Sequence, residues 1–387
     1  MTYAGLDFYL TDRLLTDEER AIRDVVRRFV DDRVFPIIEK HFVDGTFPAE
    51  LIPEMAEMGL LGASLTGYGC AGLGAVAYGL TMQELERGDS GLRSFVSVQG
   101  SLCMYPIWRY GSSEQKERWL PGMAKGELIG CFGLTEADHG SDPGGMVTRA
   151  VRRGTDWVIN GEKMWITNGG VADVAIVWAQ TDEGIRGFLV ERGAKGYKAQ
   201  DIHNKWSLRA SVTSELLFDE CVVPDSSRLP EAGGLGAPLS CLNQARYGIA
   251  WGGVGAAMGC YEVALRHAQN RRQFGRPLAG FQLVQQKLVK MVSDITKGQL
   301  LCVQLGRLKE AGLAEAHHVS LGKRDNIAMA LDAARSARDI LGAAGVCHDY
   351  PIGRHMANLE SVSTYEGTHD IHTLVIGHAV TGERAYT

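Results

Sequence analysis

The chain has 387 residues, of which 45% are hydrophobic and 22% are charged, and its formal net charge is -6 at pH 7. These values exclude a disordered chain and leave ample core for two or three domains. The acidic balance gives no electrostatic reason to bind nucleic acid or an anionic membrane. The 8 cysteines stand singly and in no zinc-like spacing, which favours reduced thiols and no metal site.

The first residues, 1–15, contain no basic segment followed by a continuous apolar stretch. We therefore expect no signal or transit peptide, and a cytoplasmic protein. No apolar run approaches the roughly 20 residues that a membrane-spanning helix needs.

The first third of the chain, 1–130, is predicted to be a helical domain. A capping box at Thr16 and Glu19 begins one amphipathic helix. Pro48 favours the first turn of a second helix, which should end near Gly59. Further helical patterns cover 75–87, 93–110 and a segment that begins with the capping box of Ser112 and Gln115.

The next segment, 131–235, is predicted to be a small antiparallel β domain. Two short apolar runs, 174–178 and 187–190, are separated by turn residues. Weaker strand candidates lie at 147–151, 157–160, 197–202 and 214–222. A linker rich in glycine and proline, 230–238, follows the last of them.

Long helical patterns return in the third segment, 236–387, near 240–270, 281–311, 314–341 and 370–384. Four long helices with short connections predict a bundle. Helical, β and helical blocks in separate segments lack the βαβ alternation of a Rossmann fold. The predicted fold is therefore mainly α with a central β domain.

Three motifs stand out: CFGLTEADHGSD at 131–142, KMWITNGG at 163–170 and TYEGTHDIH at 364–372. Together they resemble the acyl-CoA dehydrogenase family, and most of all its glutaryl-CoA dehydrogenase branch. The resemblance runs from about residue 15 to the C-terminus. It implies an N-terminal helical domain, a β domain and a C-terminal four-helix bundle, with FAD between the last two.

Glu366 is the catalytic base that the resemblance implies. Removing the weakly acidic α-proton of a thioester needs a positioned carboxylate in a dry pocket that raises its pKa. Gly367 removes a side chain where the thioester must approach the backbone. The alternative is a glutamate that caps the helix starting near residue 370.

The first two motifs imply one half of the FAD site. A tryptophan can cover one face of the flavin, and a threonine hydroxyl can donate towards it. The contacts implied here are Phe132, Leu134, Thr135, Ser141, Trp165, Ile166 and Thr167, with Ser141 also close to the CoA ester. The alternatives are an ordinary polar loop and a core tryptophan in a strand.

The motif RRQFGRPL resembles the segment that the family places against the FAD of a neighbouring subunit. A guanidinium pairs well with a pyrophosphate because its donors lie in one plane. The further contacts implied are Arg271, Gln273, Phe274, Gln282, Asp339, Ile340, Gly342, Ala343, Thr368 and Asp370. The alternative is a helix C-terminus whose arginines compensate the helix dipole.

The segment ELERGDSGLRSFVSVQ, 84–99, carries the substrate-specific signal. Arg93 and Ser97 lie one helical turn apart and share a face. In the glutaryl branch the matching residues hold the distal carboxylate of the substrate, and a glutamate at the position of Glu86 assists. The substrate contacts implied are Glu86, Arg93, Ser97, Ser141, Leu242, Asn243, Arg246, Tyr365 and Gly367. The alternatives are a surface salt bridge for Arg93 and a buried ion pair for Arg246.

The resemblance implies an FAD-dependent α,β-dehydrogenation of a short acyl-CoA, foremost the oxidative decarboxylation of glutaryl-CoA to crotonyl-CoA and CO2. An electron-transfer flavoprotein is the expected acceptor, a homotetramer the expected assembly and amino-acid catabolism the expected setting. A short-chain monocarboxylic acyl-CoA dehydrogenase, an acyl-CoA oxidase and a non-catalytic helical assembly protein stay open as alternatives.

Overall fold

The computed structural model describes residue 7 and residues 9–385. Residues 1–6 and 8, part of the segment in which no signal peptide is expected, lie outside the described residues. Among the described helices, none has the length and apolar character that crossing a bilayer requires.

The first part of the chain is helical, as predicted. The helices are α1 (Asp17–Phe29), α2 (Phe35–Asp44), α3 (Ile52–Glu57), α4 (Ala75–Gly88), α5 (Ser90–Ser97), α6 (Tyr105–Tyr110) and α7 (Ser113–Ala124). Both predicted capping boxes are present, at Thr16 and at Ser112. The pattern at 93–110 is not one regular helix, because a π-helical segment, Val98–Met104, separates α5 from α6. Helix α2, which follows a second π-helical segment, was not predicted.

The middle part forms one seven-stranded sheet in the order β1-β4-β2-β3-β7-β6, with β5 paired to β4. Its strands are β1 (Gly130–Gly133), β2 (Arg149–Arg153), β3 (Asp156–Thr167), β4 (Val174–Thr181), β5 (Gly184–Glu191), β6 (Tyr197–Asp201) and β7 (Thr213–Pro224). The prediction of a purely antiparallel domain is wrong, because β1 and β2 each pair with β4 in parallel. Long segments separate these strands along the chain, and only such connections allow parallel pairing.

The last part contains α8 (Gly236–Asn270), a small hairpin of β8 (Arg272–Gln273) and β9 (Arg276–Pro277), α9 (Gln282–Glu310), α10 (Ala316–Leu341), α11 (Ile352–Thr364) and α12 (His369–Thr381). The four predicted helices are confirmed, and α11 is an additional one. It begins directly after Pro351, where proline suits the start of a helix.

Helices α4 and α8 lie in close contact and join the first part of the chain to the last. A Cβ atom at Gly252 would meet the carboxylate of Glu86, and one at Gly255 would overlap the backbone of Gln83. Small residues on α8 therefore let the two backbones approach. This contact carries Glu86 into the space between the helices, where the candidate site lies.

Candidate active site

The loop that joins α11 to α12 holds the predicted base in a backbone conformation that L-residues avoid. Glu366 has φ 51° and Gly367 has φ 92°. A non-glycine residue in the left-handed region is strained and persists only where its surroundings fix it. The alternative in which Glu366 caps the following helix is wrong, since Thr368 is the N-cap and accepts a hydrogen bond from the amide of Ile371 at 3.2 Å.

Two cations fix that loop through its carbonyl oxygens. Lys323 of α10 donates from Nζ to the carbonyl oxygens of Tyr365, of Glu366 at 3.3 Å and of Gly367 at 2.8 Å. Arg246 of α8 donates from Nε to the carbonyl oxygen of Glu366 at 2.7 Å. The alternative of a buried ion pair does not account for this bond of Arg246 to a backbone carbonyl oxygen. Arg246 also makes at least one further interaction.

The side chain of Glu366 has the properties of a base. Its Oε2 atom is buried and has no hydrogen-bond partner among the described residues. Burial raises the pKa of this carboxyl group above its ordinary value, while the charges of Arg93, Lys323 and Arg246 act in the opposite direction. A carboxylate with a raised pKa and an open hydrogen-bonding position is suited to accept a proton at neutral pH.

Arg93 lies next to the base, fully buried, so the alternative of a surface salt bridge is wrong. Its Nε bonds the carboxylate of Glu86, which is also fully buried, and its Nη2 bonds the hydroxyl group of Tyr365. Burial opposes the charge of Arg93, but Glu86, Tyr365 and Glu366 raise the pKa of the guanidinium overall. The arginine is therefore cationic.

This cluster retains unused hydrogen-bonding capacity. Within the described part of the chain, Nη1 of Arg93, Oγ of Ser97 and Oε1 of Glu86 are buried without a hydrogen-bond partner. Buried polar atoms are nearly always paired in proteins, so an unpaired one needs an explanation, and a role in a functional site is one such explanation. Two donors beside a base therefore indicate a place for a polar group of a ligand.

A cavity of about 290 Å³ lies beside Ser101, four residues after Ser97 in the chain. Its lining includes Tyr78, Ser101, Gln244 and Lys309. The hydroxyl groups of Tyr78 and Ser101 are 3.1 Å apart. Burial raises the pKa of Tyr78, whereas the Ser101 bond and the charge of Arg93 lower it, which places the phenol near the arginine.

The second motif lies on a β-bulge that exposes its tryptophan. The register of β3 against β7 shifts between Lys163 and Ile166, and Trp165 has φ 63°. The indole is 60% exposed, so the alternative of a core tryptophan is wrong. A bulge re-aims a side chain out of the regular alternation. Here it presents an aromatic ring on the surface of the sheet.

The first motif is hydrogen-bonded to the same bulge. The amide of Met164 donates to the carbonyl oxygen of Thr135 at 2.9 Å. Lys163 donates to the carbonyl oxygen of Leu134 at 3.0 Å and to the carboxylate of Glu136 at 2.8 Å. Burial lowers the pKa of Lys163 to about 8, against the effect of Glu136. The two motifs therefore form one continuous surface.

The remaining predicted contacts fall into two groups. The side chains of Phe132, Leu134 and Ile166 are buried in the core, which leaves their backbone groups for a cofactor. The others are exposed or partly exposed: Ser141 after β1, Thr167 at the end of β3, Leu242 and Asn243 on α8, the hairpin residues Arg271, Gln273 and Phe274, and Gln282, Asp339, Gly342, Ala343, Thr368 and Asp370. Ile340 is buried, and Phe274 is 92% exposed at the hairpin tip.

Sequence reasoning missed Lys323 and His372. Lys323 lies among the buried residues of α10, which include Val319, Asn326 and Ile327. A lysine in the apolar stripe of a helix was the signal that could have found it. His372 contacts the hydroxyl group of Ser320 at 3.0 Å, and its place at the end of the motif TYEGTHDIH was the signal that could have found it.

The chain matches family models along most of its length. They are the acyl-CoA dehydrogenase N-terminal domain over residues 16–127, the middle domain over 131–221 and the C-terminal domain over 232–381. The chain belongs to the acyl-CoA dehydrogenase family, and its fold of two helical parts around a central β sheet is that of the family.

Three similar proteins represent two kinds of enzyme in the family, glutaryl-CoA dehydrogenases and a short-chain-specific acyl-CoA dehydrogenase. A crystal structure of glutaryl-CoA dehydrogenase from Mycobacterium smegmatis has 59% identity, a TM-score of 0.96 and coverage of 97% of both chains. A structure of a glutaryl-CoA dehydrogenase from the same organism in complex with FADH2 has 55% identity, a TM-score of 0.98 and coverage of 100% of both chains. The short-chain-specific acyl-CoA dehydrogenase of Clostridium acetobutylicum is 35% identical over 371 residues, 94% of this chain and 97% of that protein.

The cofactor of this family is FAD, and the residues present fit a flavin. The bulge at Trp165 offers an exposed aromatic face, with Thr167 at the end of the same strand and Thr135 just after β1. Arg271 and Phe274 add a guanidinium group and a second exposed ring. An aromatic surface with hydroxyl donors suits a flavin ring, and a guanidinium group on a separate segment suits a pyrophosphate.

Proposed function

We propose that this enzyme catalyses the oxidative decarboxylation of glutaryl-CoA to crotonyl-CoA and CO2. The observation that carries the proposal is the buried Arg93, which has an unused Nη1 donor and lies one helical turn before the buried hydroxyl group of Ser97. A distal carboxylate is the group that two such donors would bind. The carboxylate of Glu86 fixes the arginine from its other side.

Each residue has a distinct part in the proposed reaction. Glu366 removes the α-proton of the thioester, and its raised pKa lets it hold that proton. Bound FAD would supply the acceptor for the hydride of the β-carbon. Arg93 and Ser97 orient the substrate from its distal end. The distal carboxylate then leaves as CO2, because its bonding electrons delocalise into the conjugated thioester. The resulting dienolate takes up a proton at its γ-carbon, which the protonated Glu366 can supply, and becomes crotonyl-CoA.

A second candidate is the dehydrogenation of a short monocarboxylic acyl-CoA. It is supported by the name of the Clostridium relative, a short-chain-specific enzyme. In that case the ion pair of Arg93 and Glu86 would serve packing alone. Membership in the family favours either enzyme over a non-catalytic helical assembly protein.

The setting of the reaction is also part of the proposal. We expect an electron-transfer flavoprotein as the acceptor, a homotetramer and a cytoplasmic location. An acyl-CoA oxidase would instead consume oxygen, so oxygen uptake without an added acceptor separates the two.

The deciding experiment identifies the products. The purified holoenzyme is incubated with glutaryl-CoA labelled in its distal carboxyl group and with an artificial electron acceptor. We expect labelled CO2 and crotonyl-CoA in equal amounts. Butyryl-CoA serves as the control and should yield crotonyl-CoA without CO2. A preference for butyryl-CoA, with no labelled CO2 from glutaryl-CoA, would establish the second candidate instead.

A further inference from the structure

Lys323 is a fully buried lysine whose ammonium group meets three consecutive carbonyl oxygens of the loop that carries Glu366. We propose that Lys323 is a positioning residue for the reaction: it holds the backbone of Tyr365, Glu366 and Gly367 in place and, when protonated, places a cation beside the base. This inference rests on the proposed role of Glu366 as the base.

The first support is the match between donors and acceptors. A lysine ammonium has three N–H donors and no acceptor, and the loop offers it three carbonyl oxygens. In an extended strand, successive carbonyls point in alternating directions. Here the positive φ angles of Glu366 and Gly367 turn them towards one point. The lysine therefore stabilises the conformation that a glutamate would otherwise avoid.

The second support concerns the partners of the hydrogen bonds that Lys323 donates. Its hydrogen bonds within the described chain all go to those three oxygens. A lysine retained only to neutralise a buried acid would bond that acid directly. Burial and the charges of Arg246 and Arg93 lower the pKa of Lys323 to about 7, whereas the nearby carboxylate of Glu366 opposes that shift. The carbonyl oxygens and the base together favour the charged form.

The charges around the base come from several elements. Arg93, Arg246 and Lys323 lower the pKa of Glu366, whereas burial and the carboxylate of Glu86 raise it. The phenol of Tyr365 and the imidazole of His372 face the same cluster. Arg93 and Arg246 have other partners in Glu86 and Asn243, whereas the hydrogen bonds of Lys323 go to the loop itself. Loss of Lys323 should therefore alter both the position and the protonation of the base.

Three variants of the holoenzyme separate position from charge. Lys323→Gln keeps a donor but no charge, Lys323→Met keeps neither, and Lys323→Arg keeps both in a larger group. Each is mixed with glutaryl-CoA, and separately with butyryl-CoA, and flavin bleaching is followed by stopped flow across pH. Lys205→Gln is the matched control, because Lys205 also bonds three oxygens, those of Leu208, Ser211 and Thr213, in the β part of the chain.

We expect Lys323→Met to slow bleaching by about a hundredfold with both substrates, because a base displaced by about 1 Å loses the reactive geometry. Lys323→Gln should be less impaired. In both variants the acid limb of the pH–rate profile, where the rate falls as the base becomes protonated, should move up by about one pH unit. The reason is that removing a nearby cation raises the pKa of a carboxyl group. Lys323→Arg should keep the limb at its wild-type position even where its rate falls.

Lys205→Gln should leave both the rate and the limb unchanged. The inference is overturned if Lys323→Gln and Lys323→Met bleach within about twofold of wild type with an unmoved acid limb. It is also overturned if the rate falls while the limb moves equally in Lys323→Arg, because charge would then be irrelevant. Should Lys323→Met not fold, the comparison of Lys323→Gln with Lys323→Arg decides. If Glu366→Gln stayed active, the proposed base itself would be refuted. That outcome is distinct from a failure of the inference about Lys323.

Discussion

Arg246 donates a hydrogen bond from its Nε atom to the backbone carbonyl oxygen of Glu366 at 2.7 Å. The same guanidinium group donates from Nη1 to Asn243 at 3.3 Å, one turn earlier on α8. The backbone of the predicted base is thereby tied to the helix that carries the predicted CoA contacts. A shift of α8 would displace Glu366, so the predicted base and the predicted CoA contacts are structurally linked.

Glu366→Gln should retain the fold and FAD but lose flavin bleaching by substrate, by several orders of magnitude. The amide is nearly isosteric with the carboxylate, yet it cannot accept the α-proton at neutral pH. Anaerobic stopped-flow absorbance of the flavin measures the effect. Glu360→Gln, at an exposed site on α11, is the control and should bleach normally. Near-normal bleaching by Glu366→Gln would assign the base elsewhere.

Arg271→Ala should weaken both FAD retention and subunit assembly. Arg271 lies at the C-cap of α8 and is exposed in the single chain, which agrees with a role towards a neighbouring subunit. Removing a guanidinium group that pairs with a phosphate loses a charge-assisted bond. Gel filtration and the ratio of flavin to protein absorbance test this, with the exposed Arg118→Ala as control. A variant that stays a fully flavinated tetramer would leave Arg271 as a dipole-compensating cap alone.

Local patterns predicted most helices and the site loop because they act within a few residues. The capping boxes at Thr16 and Ser112 need only side chains and amides three residues apart. The parallel pairing of β1 with β4 could not be predicted, since it joins segments more than forty residues apart, such as Gly130 and Val174. The domain bounds 1–130, 131–235 and 236–387 remain a prediction.

The motifs predicted some of the residues that the structure brings together, but not how the charges of these residues are balanced. Arg93 and Tyr365 were expected together, and they share a hydrogen bond. Lys323 escaped notice because its partners are carbonyl oxygens, and backbone groups leave no mark in a sequence. The exposed orientation of Trp165 depends on a bulge, which the hydrophobic pattern of β3 does not reveal.

His372 should make the protein less stable in mild acid. Burial, with the charges of Lys323 and Arg246, lowers the pKa of His372 from 6.5 to about 3. Between these values the unfolded chain binds a proton that the folded chain does not, so the free energy of unfolding falls as the pH falls below 6.5. His372→Gln should reduce this slope in urea unfolding at fixed protein concentration, whereas the exposed His203→Gln should not. Equal slopes for His372→Gln and wild type would contradict the assignment.

Arg93→Met should reduce kcat/KM for glutaryl-CoA far more than for butyryl-CoA. A charge-assisted bond to a distal carboxylate contributes about 1.5–3 kcal/mol, which is about ten- to a hundredfold in discrimination. Ser97→Ala should act in the same direction more weakly, because a neutral donor contributes less.

Arg93→Met also leaves the buried carboxylate of Glu86 uncompensated, which can damage the pocket for any substrate. The double variant Glu86→Gln/Arg93→Met removes that charge and should restore the rate with butyryl-CoA but not with glutaryl-CoA. Steady-state kinetics with both substrates measure the two effects separately. If wild type prefers butyryl-CoA and Arg93→Met leaves this preference unchanged, the arginine serves packing, and the enzyme is a short-chain dehydrogenase.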